Sequence, residues 1–97
     1  MAGKMADDLA RVRIRVYGRV QGVFFRRSAV DEGESLGLTG YARNMADGGV
    51  EIVAEGRRKN LDMLIAWTHI GPRLAHVSNL TEEWSGYRGE FAGFTVR

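Results

Sequence analysis

Twice along this chain the hydrophobic period switches from two residues to helical spacing and back, and few folds accommodate that order. Val12, Ile14 and Val16 alternate with Arg11, Arg13, Arg15 and Tyr17, the signature of a strand with one buried face. Gly18 is expected to end it. After Phe24 and Phe25 the pattern changes: Ala29, Val30, Gly33 and Leu36 lie at helical spacing, with Arg27, Asp31, Glu32 and Glu34 on the other side. Gly37 suits the C-terminal cap of that helix. Alternation returns in Leu38, Gly40 and Ala42, and again, past a turn at Asp47-Gly48-Gly49, in Val50, Ile52 and Ala54, which makes a hairpin. Leu61, Leu64 and Ile65 then mark a second helix over residues 58–70, stopped at Gly71-Pro72 because proline cannot continue it. Residues 75–84 carry Val77, Leu80 and Trp84, a spacing of three then four that predicts a strand with a bulge. Phe94 to Val96 closes the chain as a short strand.

Strand, helix, strand, strand, helix, strand, with one strand added, is the order of a ferredoxin-like α+β sandwich (βαββαβ). Its expected form is an antiparallel sheet with both helices on one face and the other face open to water. Ninety-seven residues suffice for one such domain, expected over 10–97, with residues 1–9 (MAGKMADDL) as a flexible leader lacking any period. The sequence has no cysteine, which excludes a disulfide scaffold, a cysteine-ligated metal centre and a cysteinyl-phosphate mechanism. A net charge of +2 does not supply the broad positive field of a nucleic-acid binder, yet it suits a small anionic ligand. With no apolar run of spanning length and no signal-like start, the expected location is the cytoplasm and the simplest assembly a monomer.

The stretch Gly18-Arg19-Val20-Gln21-Gly22-Val23-Phe24-Phe25-Arg26 joins the first strand to the first helix. A glycine loop there can aim successive N–H groups at one point, and the helix N-terminus behind it adds unpaired N–H groups and a positive dipole end. Arg26 would add a planar fork suited to two phosphate oxygens. The same residues also describe an ordinary glycine turn before a surface arginine, and spacing alone leaves both readings open. Neither the GxxxxGK[ST] of a nucleotide loop nor the GxGxxG of a dinucleotide fold is present.

That nine-residue stretch resembles the first signature of the acylphosphatase family. A second follows: Gly40-Tyr41-Ala42-Arg43-Asn44, then Gly48, Val50 and Gly56 at the family's spacing. The Gly71-Pro72 stop and the closing Gly93-Phe94-Thr95-Val96-Arg97 are similar too, so the resemblance runs over about residues 9–97; only Thr68, where leucine would suit the helix stripe, departs from it in packing. The resemblance implies hydrolysis of acyl phosphates to a carboxylate and inorganic phosphate; with no cluster of metal ligands in the sequence, neither metal nor cofactor is expected. It implies that Arg26 binds the phosphate and that Asn44 positions the attacking water. The backbone of Arg19, Val20, Gln21, Gly22, Val23, Phe24 and Phe25 would cradle the phosphoryl group. Implied partners are a small acyl phosphate, with inorganic phosphate as product and inhibitor, and neither nucleic acid nor membrane. Neither arginine nor asparagine titrates near pH 7, but the leaving carboxylate has a conjugate acid of pKa ~4 and needs no general acid.

Other candidates carry less. His69 and His76, seven apart with no third ligand in step, have poor metal spacing. Asp31-Glu32-Glu34 and Glu82-Glu83 read as solvated faces, and Trp67 as core at the flank of the second helix. The alternative function is a ferredoxin-like RNA-binding module, with Arg13, Arg15, Tyr17 and Tyr41 on the open sheet face. Against it stand the missing aromatic RNP1 string and the acidic Glu51 and Glu55 on that same face.

Overall fold

A computed structural model describes residues 8–97. The elements are β1 (Leu9–Arg19), α1 (Phe25–Ser35), β2 (Thr39–Asn44), β3 (Val50–Arg57), α2 (Arg58–Thr68), β4 (His76–Gly86) and β5 (Phe94–Val96). They form one sheet in the order β4-β1-β3-β2-β5, so β1 and β3 are adjacent and central. The expected antiparallel pairing holds for β1 with β3 and β4 and for β2 with β3, while β5 joins the β2 edge in parallel. The expected leader falls, for residues 1–7, outside the described residues; Leu9 pairs with Arg57 and already belongs to β1.

One sheet face and both helices share a single core. Val12, Ile14 and Val16 of β1 and Val50, Ile52 and Ala54 of β3 meet Ala29 and Val30 of α1 and Leu61, Leu64 and Ile65 of α2, all buried. Each large aliphatic side chain so buried contributes about 1.5–3 kcal/mol, which lets a chain without cross-links hold together. Helix α1 stops where Gly37 was expected to cap it: the Gly37 N–H donates to Glu34 O at 3.0 Å and the Leu38 N–H to Gly33 O at 2.9 Å. Thr68 is fully buried because its hydroxyl donates to Leu64 O at 2.8 Å, so the leucine-like position is filled without an unpaired polar atom. Trp67 packs edge-on against Phe25 with ring centroids 5.5 Å apart.

Two sequence expectations change. Gly18 does not end β1, which runs on to Arg19. The predicted bulge lies opposite: Tyr17 pairs with Asn79 but Gly18 with Val77, leaving Ser78 as the extra residue of β4. The backbones approach so closely there that a Cβ on Gly18 would lie 2.2 Å from His76 O, so the glycine serves the crossing rather than a strand end. The second sheet face, expected to be open to water, is closed along β3, where Glu51, Val53 and Glu55 are all buried. Glu55 accepts from Arg11 Nη1 at 3.2 Å and from the Arg88 and Glu90 N–H groups at 2.8 and 3.2 Å, which folds the segment after β4 back over the sheet. Alternation could not reveal this, because the carboxylates that look solvent-facing in sequence are satisfied from above.

Glu51 is the hub of the remaining face. Arg43 Nε lies 2.7 Å, Arg15 Nε 3.3 Å and Arg13 Nε 3.4 Å from its carboxylate oxygens. Burial pushes its pKa up, but the hydrogen bond and charge of Arg43, with Arg15 and Arg13 beside it, outweigh that and hold the carboxyl below its ordinary value. The arginines that suggested a nucleic-acid platform are thus engaged with one buried anion.

Candidate active site

The segment between β1 and α1 turns through two left-handed residues, Gly22 at φ 76° and Phe24 at φ 65°, with Val23 between them at negative φ. Alternating signs of φ tip consecutive N–H groups toward one side of the chain. Gly22 takes its conformation without steric cost, whereas Phe24 is the only non-glycine residue with positive φ among the described residues. Phe24 is also the N-cap of α1. It offers no side-chain hydrogen bond to the first turn, and that turn carries no acidic residue. The first helical bond runs from the Ser28 N–H to Phe24 O, so the N–H groups of Phe25, Arg26 and Arg27 have no partner within the helix. An uncapped helix start with its dipole unopposed is suited to an anion.

Val20, Gly22, Phe24, Phe25, Arg26, Arg27, Asn44 and Val96 line one cleft of about 460 Å³. Arg26, from the first turn of α1, and Asn44, the exposed last residue of β2, therefore share a wall although 18 residues separate them in sequence. The predicted cradle runs from the end of β1 to the first residue of α1. Arg19 is the paired end of β1, opposite His76; the Val23 side chain is buried in the core, and the Gln21 side chain reaches the β2–β3 hairpin. Val20, Gly22, Phe24 and Phe25 of those seven residues line the cleft.

Two contacts that sequence reading missed fix this geometry. Gln21 Nε2 donates to Met45 O at 2.8 Å and to Gly49 O at 2.9 Å, tying the loop to the hairpin that begins just after Asn44. The hairpin is itself braced: Asp47 Oδ1 accepts from the Gly49 N–H at 3.0 Å and Asp47 Oδ2 from the Tyr17 hydroxyl at 3.2 Å. Partial burial and the Asp47 carboxylate raise the Tyr17 pKa above its ordinary value, which keeps the phenol protonated as the donor. On the other side, Arg26 Nη1 donates to the backbone oxygen of Arg97 at 2.9 Å, and the Arg97 N–H donates to Ala42 O at 2.8 Å. The residue that follows β5 thus anchors one prong of the guanidinium and leaves its other donors for a ligand. A glutamine within a glycine loop announced only a turn, and a backbone oxygen leaves no mark in sequence.

The remaining candidates stay apart from this cleft. His69 and His76 are exposed, and among the described residues no group of three His, Asp or Glu side chains is close enough to hold a metal ion. Arg27 is drawn toward Asp31 at 3.4 Å along α1. No helix among the described residues is long and apolar enough to cross a membrane.

A sheet with two helices on one face, and a cleft between the first βα loop and the β2 end, places the chain among small α+β ferredoxin-like domains. Comparison narrows this further. The acylphosphatase family model matches residues 12–96, and the chain belongs to that family. An acylphosphatase of Anaeromyxobacter sp. is 47% identical over 90 residues, which cover 93% of this chain and 97% of that protein. The solved acylphosphatase of Coxiella burnetii shares 38% identity at a TM-score of 0.88, covering 94% of this chain and 95% of the other. That of Bacillus subtilis shares 32% at 0.87, covering 91% and 98%. The chain is accordingly an acyl phosphate hydrolase with the ferredoxin-like fold of its relatives.

Proposed function

We propose that the cleft holds the phosphoryl group of an acyl phosphate against Arg26 and the loop amides while Asn44 aligns a water molecule for in-line attack. The observation that carries this reading is the meeting, in one cleft, of an uncapped helix start, Arg26 and Asn44. The water oxygen bonds to phosphorus as the bond from phosphorus to the acyl oxygen breaks, and the electron pair leaves with the carboxylate. A non-bridging phosphate oxygen accepts the proton of the water. Phosphoryl transfer passes through a loose transition state, so positioning and electrostatic stabilisation supply most of the catalysis. Arg26 and the amides meet the charge on the equatorial oxygens; the Asn44 carboxamide, exposed on the same wall, orients the nucleophile.

No metal ion enters this scheme, because the leaving group needs no acid and the phosphoryl charge is met by fixed donors. The groups invoked require no second subunit, and the reading takes a small acyl phosphate as substrate. The test is hydrolysis of benzoyl phosphate by the purified protein with inorganic phosphate as competitor. Competitive inhibition is expected, with the rate unchanged by chelator. A noncompetitive pattern, or loss of activity restored by magnesium or zinc, would contradict the reading.

A further inference from the structure

A phosphoryl group fills only part of the cleft, and the rest of its wall is apolar. Val20 and Phe25 form its floor but are buried in the core, so the accessible apolar surface is that of Val96 and of Phe24, which is 75% exposed. Phe24 and Ile70 are the two most exposed large hydrophobic residues described, and only Phe24 lines the cleft. It also holds the left-handed conformation that a bulky side chain adopts at a steric cost and glycine adopts freely. An exposed ring adds little to the core, and the backbone at this position would be easier to form without it. An aromatic that is both strained and solvated at the mouth of a binding cleft points to a role in binding rather than folding.

Resting on the phosphoryl-site reading above, we propose that the Phe24 side chain forms the acyl subsite and selects aromatic and long apolar acyl phosphates over acetyl or carbamoyl phosphate. With the phosphate seated at the start of α1, the acyl group extends outward past residue 24. Its ring or chain then covers the exposed face of Phe24 in an edge-on or offset contact, with Val96, 39% exposed, as the remaining apolar wall. The contact is made equally in the ground and transition states, so it acts on KM rather than kcat.

The experiment compares benzoyl phosphate with acetyl phosphate on the intact chain and on Phe24→Asn and Phe24→Trp. Asparagine tolerates the left-handed conformation, so the loop keeps its shape while the apolar surface is lost; tryptophan restores an aromatic face. For Phe24→Asn the benzoyl-to-acetyl ratio of kcat/KM is expected to fall about tenfold, carried by the benzoyl KM, and Phe24→Trp is expected to hold the ratio. A ratio unchanged in Phe24→Asn, or one that falls through kcat, overturns the proposal. Failure of the phosphoryl-site reading looks different: inorganic phosphate then does not compete in the unsubstituted protein, whichever acyl group the substrate carries.

Discussion

Replacing Gln21 by methionine removes the amide that ties the β1–α1 loop to the β2–β3 hairpin while keeping nearly the same length of side chain. Two hydrogen bonds go, at 2.8 Å to Met45 O and 2.9 Å to Gly49 O. Each is worth about 0.5–1.5 kcal/mol net. The two carbonyls are not orphaned. Met45 O still accepts from the Gly48 N–H at 3.2 Å, and Gly49 O from the Met45 N–H at 2.8 Å. No further desolvation penalty therefore arises, and the cost centres on about 2 kcal/mol. If the loss is felt globally, the melting temperature falls by about 8–16 °C. If the loop detaches locally instead, the binding-competent population drops and phosphate affinity weakens by up to about 30-fold. Gln21→Glu should be worse than methionine at pH 7, because a carboxylate cannot donate to either carbonyl and repels both; acidification should recover part of the loss as the protonated acid regains one donor. Scanning calorimetry and phosphate titration calorimetry on the two variants read both quantities. Gln21→Met with melting temperature and phosphate affinity both unchanged would refute the claim that this amide holds the two halves of the site together.

Two further outcomes follow from the packing and the buried charge. A Cβ on Gly33 would lie 2.4 Å from the Phe94 ring, so Gly33→Ala should destabilise the protein by about 1–3 kcal/mol in urea despite alanine's better helix propensity. A gain in stability would mean that the β5 edge is not packed on α1 as described. Glu51 has a folded-state pKa below its ordinary value, so its contribution is present above the unfolded carboxylate range near pH ~4.3 and is lost as pH falls through the lower, folded value. Glu51→Gln should flatten that acid limb. At pH 7 it should cost about 2 kcal/mol, less than for a fully buried pair, because the side chains of Arg13, Arg15 and Arg43 stay 38–45% exposed. Equal acid midpoints for the two proteins by circular dichroism would contradict the hub role.

What the sequence made legible is what repeats or breaks a repeat. Alternation through Val12, Ile14 and Val16, the helical stripe around Leu61 and Leu64, and the stop at Gly71-Pro72 are local patterns, and each appears as an element in the fold. The misfit of Val77 and Leu80 to strict alternation was likewise a local signal, and the bulge lies between them at Ser78. What stayed hidden is set by distant partners. Glu51 and Glu55 alternate like solvent-facing residues, and their burial depends on arginines of other strands and on the segment after β4. Arg26 and Asn44 carried the resemblance, but the Gln21 amide and the Arg97 backbone oxygen that position the site's two walls became visible only with the fold.

The division of labour between Arg26 and Asn44 is most directly tested by phosphate titration calorimetry and steady-state hydrolysis of benzoyl phosphate on folded Arg26→Gln, Arg26→Lys and Asn44→Ala. Arg26→Gln is expected to lose phosphate binding and turnover together. Lysine is not expected to rescue it, since a point charge reproduces neither the fork nor the prong held by Arg97. Asn44→Ala is expected to bind phosphate normally while kcat falls by about 10²–10³, the scale of one preorganised polar contact. Phosphate affinity lost as badly in Asn44→Ala as in Arg26→Gln would contradict the account, and Asn44 would then belong to the cradle rather than to the water.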